Sequence, residues 1–153
     1  VSSYKFHKII VATNLLAFQE GNLYHDFQSD SINKFLNKLN NTENVILVGQ
    51  FIEWKNNPPR VIANEIYRTS TFNQTNISNI NTDTFKTEKY FKNWSYQNKV
   101  IYFSIIDIFC ENEICKQIIN YENSEYILSI DKIHLTKIGS ITVADKLVDL
   151  IKN

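Results

Sequence analysis

Three runs of apolar residues set the frame for this chain: Phe6–Thr13, Asn44–Gly49 and Lys99–Asp107, each nearly continuous rather than alternating. A strand with one wet face alternates in polarity, whereas a run apolar at successive positions has to be covered on both faces, as inside a parallel sheet. Between the first two runs, Asp26–Asn40 carries Phe27, Ile32, Phe35, Leu36 and Leu39 at helical spacing, with Ser29, Asp30 or Ser31 placed to cap it. Between the second and third, Val61–Arg68 reads as a helix. Phe85–Asn98 reads as an amphipathic one presenting Phe85, Tyr90, Phe91 and Trp94. Pro58 and Pro59 interrupt regular structure ahead of Val61, and the Asn-, Thr- and Ser-rich stretch Thr69–Thr84 reads as a long surface connection. Strand and helix therefore alternate, which predicts an α/β fold with βαβ crossovers and helices on both faces of the sheet. Chemistry in such sheets gathers beyond the C-terminal ends of the strands. Asn14, the loop after Gly49 and the stretch Ser129–Thr136 stand at positions of that kind.

The last of these holds the densest chemistry. Ser129-Ile-Asp-Lys-Ile-His-Leu-Thr136 reads as a strand end, a turn bearing Asp131 and His134, and the mouth of a closing helix. Thr136 is placed to cap that helix, whose apolar positions are Ile138, Ile141, Ala144, Leu147, Val148 and Ile151. An imidazole three residues after a carboxylate suits a triad, in which His takes a proton from a hydroxyl nucleophile while Asp holds its tautomer and stabilises the imidazolium. The same string also suits a turn Asp that caps a helix, with a surface His beside it. Ahead of it, Gln117–Ile130 reads as a hairpin turning at Glu122-Asn123-Ser124.

Composition narrows the field. The 153 residues are 43% hydrophobic and 21% charged, which fits a globular chain of one domain's length. With 16 basic and 16 acidic residues the formal net charge is zero, so no nucleic-acid partner is expected. The longest apolar runs, such as Val45–Val48 and Ile105–Cys110, are too short to span a bilayer. Cys110 and Cys115 are spaced for a small disulfide-closed loop between two strands, or for a pair of free thiols in a reducing compartment. Two Cys without further Cys or His neighbours fall short of a metal site, and no cofactor is expected. There is no Met, and the chain opens directly on a strand-like run, which leads to the expectation of a segment preceding Val1.

These residues resemble a known family. Val100–Asn153, with its apolar strand before Asp107, the Cys110–Cys115 pair, a short hairpin, Asp131-x-x-His134-Leu135-Thr136 and then Gly139, resembles the C-terminal part of SGNH hydrolase domains fused to integral-membrane acyltransferase-3 proteins. Val45–Gln50 with its Pro-containing loop is similar to the middle strand of that family, and Phe6–Asn14 to the strand before it. The resemblance implies a three-layer, flavodoxin-like or SGNH-hydrolase-like α/β sandwich. Its sheet would be mostly parallel and lack the first strand, and residues 1–153 would form a single domain, the C-terminal portion of a larger membrane acyltransferase. It implies that Asp131 orients His134 as general base toward a serine, and that Asn14 contributes to an oxyanion hole. The nucleophile of the family sits in a Gly-Asp-Ser motif, and none of Gly21, Gly49 and Gly139 opens such a motif. Asn14 stands in Ala-Thr-Asn-Leu where the family has Gly-x-Asn-Asp.

The function implied is O-acetyl transfer to sugar hydroxyls of cell-surface polysaccharide. The reaction would run on the periplasmic or extracellular face of the membrane, with the serine supplied by a segment outside this chain. The membrane acyltransferase domain of the same full-length protein would be its partner. A carbohydrate esterase using the same residues with water as acceptor is one alternative. A non-catalytic module that binds glycan or docks a partner is the other. Trp54 and Tyr67 are candidates to stack on sugar rings, or else packing residues.

Overall fold

The computed structural model describes residues 8–12, 34, 38, 44–72 and 79–152. The chain divides into two compact units, one formed by Val1–Gln50 with Phe85–Ser104 and the other by Phe51–Thr84 with Ile105–Asn153.

The first unit is built on a parallel three-stranded sheet of β1 (Ile9–Ala12), β2 (Val45–Val48) and β3 (Ile101–Phe103), in that order. The register pairs Ile10 with Ile46 and Ile46 with Ile101, and Gly49 extends the ladder by donating its N–H to the Phe103 carbonyl at 2.8 Å. All four residues of β2 are buried, as a central strand covered on both faces requires. One difference from the sequence reading concerns length. β3 stops at Phe103, and the apolar residues after it form the helical turn α3 (Ile106–Phe109) in the second unit. An apolar run without a period does not say where strand gives way to helix. The expected helix over residues 26–40 lies almost wholly outside the described residues.

Helix α2 (Asp83–Gln97) supplies Phe91, which closes the core of the first unit with Val45, Leu47 and Val100, while Ile9, Val11, Trp94 and Tyr102 pack around it. Each such buried side chain contributes roughly 1.5–3 kcal/mol of transfer free energy. The buried stripe of α2 within this unit is Thr87, Glu88, Phe91 and Ser95, more polar than the expected aromatic face, and Tyr90 is exposed. A carboxylate is tolerated there because it is bonded. Glu88 accepts from Tyr102 Oη at 2.7 Å and from Ser104 Oγ at 2.5 Å, and pairs with Lys92 at 3.4 Å.

In the second unit, α1 (Pro58–Thr69) starts on the two prolines instead of after them. Pro at the first helical positions loses no bond, since those N–H groups have no intrahelical acceptor, and its φ already suits the helix. Ser70 ends α1 in a left-handed conformation, φ 58°, donating its N–H to the Ile66 carbonyl at 2.8 Å. The far end of the expected surface connection is not on the surface. Asn79 and Ile80 are buried, with Ile80 in an antiparallel bridge to Trp54.

Two hairpins follow, β4 (Cys110–Glu111) with β5 (Ile114–Cys115), and β6 (Ile118–Tyr121) with β7 (Ser124–Ile127). Both turn on two residues with positive φ, Asn112-Glu113 and Glu122-Asn123, the twist that tight hairpins require. Cys110 and Cys115 face each other in the first hairpin and form a disulfide, which settles the choice between bridge and free thiols. A bridge closing so short a loop contributes about 2 kcal/mol through the unfolded state. Reduction is therefore expected to lower the unfolding free energy from urea curves by that amount, and a Cys110→Ser/Cys115→Ser variant should reproduce the loss without reductant.

Helix α4 (Lys137–Lys152) closes the unit. Its first turn lies hard against the chain leaving β7. A Cβ on Gly139 would meet the Leu128 carbonyl oxygen at 2.6 Å and the Leu135 Cβ at 3.3 Å. That contact fixes where the helix starts.

Candidate functional site

Residues 128–136 run from the end of β7 to the start of α4, and a set of local bonds gives them a single shape. Ser129 and Leu135 form an antiparallel bridge, and the Ile130 N–H donates to the His134 carbonyl at 3.0 Å, closing the loop between them. Inside the loop, Asp131 Oδ1 accepts the backbone N–H groups of Ile133, at 2.9 Å, and His134, at 2.8 Å. Such Asx-type bonding is what a short carboxylate does at a turn. At the far end, Thr136 Oγ1 accepts the Gly139 N–H at 3.1 Å as the cap of α4 and donates to the Ile127 carbonyl at 2.8 Å. The sequence reading of Thr136 as the cap matches this geometry.

Asp131 therefore binds the turn with one oxygen and has the other free for a partner. Asp131 Oδ2 lies 2.7 Å from His134 Nδ1. The two backbone N–H groups and the imidazole hold the Asp131 carboxyl down to about 2, against an ordinary 3.8, and the Ile133 N–H is the largest cause. An ionised carboxylate only accepts hydrogen bonds, so the proton between the two groups sits on His134 Nδ1. In the neutral imidazole the lone pair is then on Nε2, the nitrogen a general base uses. The His134 side chain is 64% exposed, so that nitrogen is open to reactants.

A depressed carboxyl pKa carries a consequence for stability. The contribution of Asp131 is present above pH 3.8 and is lost as pH falls through about 2. Carbon-detected NMR should show the Asp131 carboxyl titrating near pH 2. In Asp131→Asn the pH dependence of unfolding over that range should flatten.

The other sequence candidates are distributed differently. Asn14 lies outside the described residues. Trp54 is 1% exposed and has no face to offer a sugar, whereas Tyr67 on α1 is 91% exposed. An open depression of about 530 Å³ sits at the disulfide hairpin, lined by Asp107, Cys110, Glu111, Asn112 and Lys116 among others, and neither Asp131 nor His134 lines it. Among the described residues no three His, Cys, Asp or Glu side chains are placed to hold a metal ion. No helix among them is long and apolar enough to cross a membrane. Two polar clusters escaped the sequence reading: the Glu88–Tyr102–Ser104 group, and the indole of Trp54, which donates to Ser129 Oγ. Only the chain separation of their members hid them.

Three comparisons with known proteins bear on the geometry. The family model described as SGNH domain (fused to AT3 domains) matches residues 3–149. No curated protein matches the sequence. Among solved structures, the chain is similar to the periplasmic domain of a lipopolysaccharide acetyltransferase from Salmonella ser. Paratyphi A. The TM-score is 0.71 at 20% identity, over 96% of this chain and 57% of that one. At that identity the likeness speaks for the fold, and the chain spans little more than half of the solved domain.

Proposed function

The chain belongs to the family of SGNH domains fused to AT3 domains, and from that premise we propose that it transfers acyl groups, acetyl in the first instance, to hydroxyls of cell-surface polysaccharide. Residues 1–153 then act as a single SGNH-like domain on the periplasmic or extracellular side, attached to the membrane acyltransferase domain of the same full-length protein. The observation that carries the reading is the Asp131–His134 couple. Its carboxylate is anchored by two backbone N–H groups, and its imidazole is held through Nδ1, which leaves Nε2 as the basic nitrogen. The disulfide adds support, since such bridges persist in oxidising compartments. The periplasmic origin of the similar domain supports the same placement.

In the proposed reaction a serine from outside this chain is the nucleophile. His134 Nε2 takes the hydroxyl proton as Oγ attacks the acyl carbonyl, then returns it to the leaving group of the donor. In the second half, His134 takes the proton of a sugar hydroxyl, the sugar oxygen attacks the serine ester, and the proton goes back to the serine Oγ. Asp131 holds the ring and stabilises the imidazolium at both stages. Asn14 is proposed as a donor to the oxyanion, a role worth roughly 3 kcal/mol where it applies.

The exposure of His134 favours a second reading with the same couple, in which water is the acceptor and the protein is a carbohydrate esterase. The test is to give the full-length protein an acetyl ester donor with and without oligosaccharide and to follow both free acetate and sugar-bound acetyl by mass spectrometry. Sugar-bound acetyl supports transfer. Acetate alone, unaffected by oligosaccharide, supports the esterase, and neither product overturns both readings.

A further inference from the structure

We propose that Trp54 and Ser129 are positioning residues for the Asp131–His134 couple, acting through a single indole-to-hydroxyl hydrogen bond; the proposal rests on the role given to that couple above. Ile130 and Ile133 are both more than half exposed, so little apolar packing presses the turn into place. The bonds made by Asp131 and the Ile130-to-His134 closure are all local. They set the shape of the turn but not its placement on the rest of the unit. A catalytic couple needs both, because a misplacement of about 1 Å can cost a factor on the order of 100 in rate.

Placement comes from residue 54, seventy-five positions before Ser129 in the chain. The buried Trp54 holds the turn at two points: its backbone N–H donates to the Lys132 carbonyl at 2.9 Å, and its indole Nε1–H donates to Ser129 Oγ at 3.0 Å. One bond grips the middle of the turn and the other its entrance. Trp54 is itself fixed. It bridges Ile80, and on either side Lys55 N–H donates to the Asn79 carbonyl at 2.6 Å and Asn81 N–H to the Glu53 carbonyl at 2.8 Å. Asn79 adds a reciprocal pair with Asn56, accepting from its N–H at 2.9 Å and donating to its carbonyl at 3.2 Å. Segment 53–56 is thus tied to 79–81 before it reaches for the turn.

The indole does two separable things. Its ring fills buried volume, which Phe would largely do as well, while its N–H meets a buried hydroxyl, which Phe cannot. Trp54→Phe and Ser129→Ala remove the same bond from opposite ends. Ser129→Thr keeps a hydroxyl.

The experiment measures kcat and KM for acyl transfer by the full-length protein carrying Trp54→Phe, Ser129→Ala, both together, and Ser129→Thr, with His134→Ala as reference. The Asp131 carboxyl is titrated by NMR in the same variants. Expected are a fall in kcat of roughly tenfold to a hundredfold at unchanged KM in each single variant, no further fall in the double variant, and recovery in Ser129→Thr. The Asp131 titration is expected to stay near 2, because the bonds that depress it are local to the turn, so that the loss of rate reports placement and not loss of the turn's shape. A role in packing alone would move the unfolding midpoint and leave kcat and KM of the folded protein where they are.

If Trp54→Phe does not fold, the Ser129→Ala and Ser129→Thr pair decides. Wild-type kcat in folded Ser129→Ala overturns the proposal, as do additive losses in the double variant and an Asp131 titration that moves up toward 3.8, which would mean that the turn had lost its shape and not its placement. His134→Ala separates the two levels. If it retains wild-type activity, the role of the couple falls and the positioning role with it. If it is inactive while Trp54→Phe and Ser129→Ala are fully active, only the positioning role falls.

Discussion

Replacement of His134 by Ala is expected to lower acyl transfer by the full-length protein by roughly three to four orders of magnitude, the effect that removal of a general base has where a hydroxyl nucleophile depends on it. The expectation follows from where the protons are. Asp131, held near 2, is ionised at any working pH and fixes the Nδ1 proton, which leaves Nε2 as the acceptor. Without the ring, the hydroxyl has to react at its ordinary, high pKa. Asp131→Asn is the sharper companion. An Asn side-chain oxygen still accepts the N–H groups of Ile133 and His134, so the turn keeps its shape, while the charge that holds the imidazole is gone. Its rate should fall by roughly two orders of magnitude or more in a protein that remains folded. Single-turnover acylation and steady-state transfer measured on both variants check this. Retention of activity within about tenfold in His134→Ala sinks the general-base assignment.

The second large effect is structural and lies in the first unit. Glu88→Ala is expected to destabilise the fold by roughly 4 kcal/mol. The change leaves a cavity under α2 and takes the carboxylate away from the hydroxyls of Tyr102 and Ser104, each at a cost of about 1–3 kcal/mol when an acceptor is removed and nothing replaces it. Lys92, the third partner, is 39% exposed and turns to water at little cost. Glu88→Gln keeps an acceptor and should lose only about 1 kcal/mol. Gly49 belongs to the same cluster from the other side. A Cβ there would stand 2.7 Å from Tyr102 Oη and 3.1 Å from Glu88 Oε2, so Gly49→Ala forces the ring off its acceptor and should cost about 2 kcal/mol. Urea unfolding of the three variants is expected to rank Glu88→Ala as the least stable, Gly49→Ala next and Glu88→Gln nearest the parent. A Glu88→Ala protein as stable as the parent would mean that the two hydroxyls find other acceptors.

What the sequence made legible and what it concealed divide along chain distance. The apolar runs located β1 and β2 because a strand covered on both faces has nowhere to place a polar residue, and β2 is buried at all four positions. The Asp131–His134 pairing was legible for a similar reason: three residues of separation let one turn complete it, with no help from the rest of the fold. Thr136 and the Glu122-Asn123 turn are local in the same sense. Misreadings came where one pattern serves two structures. Lys99–Asp107 is apolar throughout most of its length, and nothing in it marks Ser104 as the point where strand pairing ends; there the side chain bonds instead to Glu88, sixteen residues earlier. Pro58 and Pro59 break an element they follow but suit one they begin. The polar buried stripe of α2 reads as a solvent face until Tyr102 and Ser104 are brought to it; of the two readings of Trp54, sugar platform or packing residue, its burial and its bond to Ser129 select packing.

The placement of the two tryptophans gives each half of the molecule its own optical label. Trp94 packs beside Phe91 in the first unit, and Trp54 is bonded to Ser129 in the second. A Trp94→Phe variant therefore emits from the second unit alone, and its fluorescence reports the environment one hydrogen bond from the Asp131–His134 turn. Trp54→Phe isolates emission from the sheet. Loss of order in the two halves becomes separately visible in an ordinary cuvette, with no dye attached.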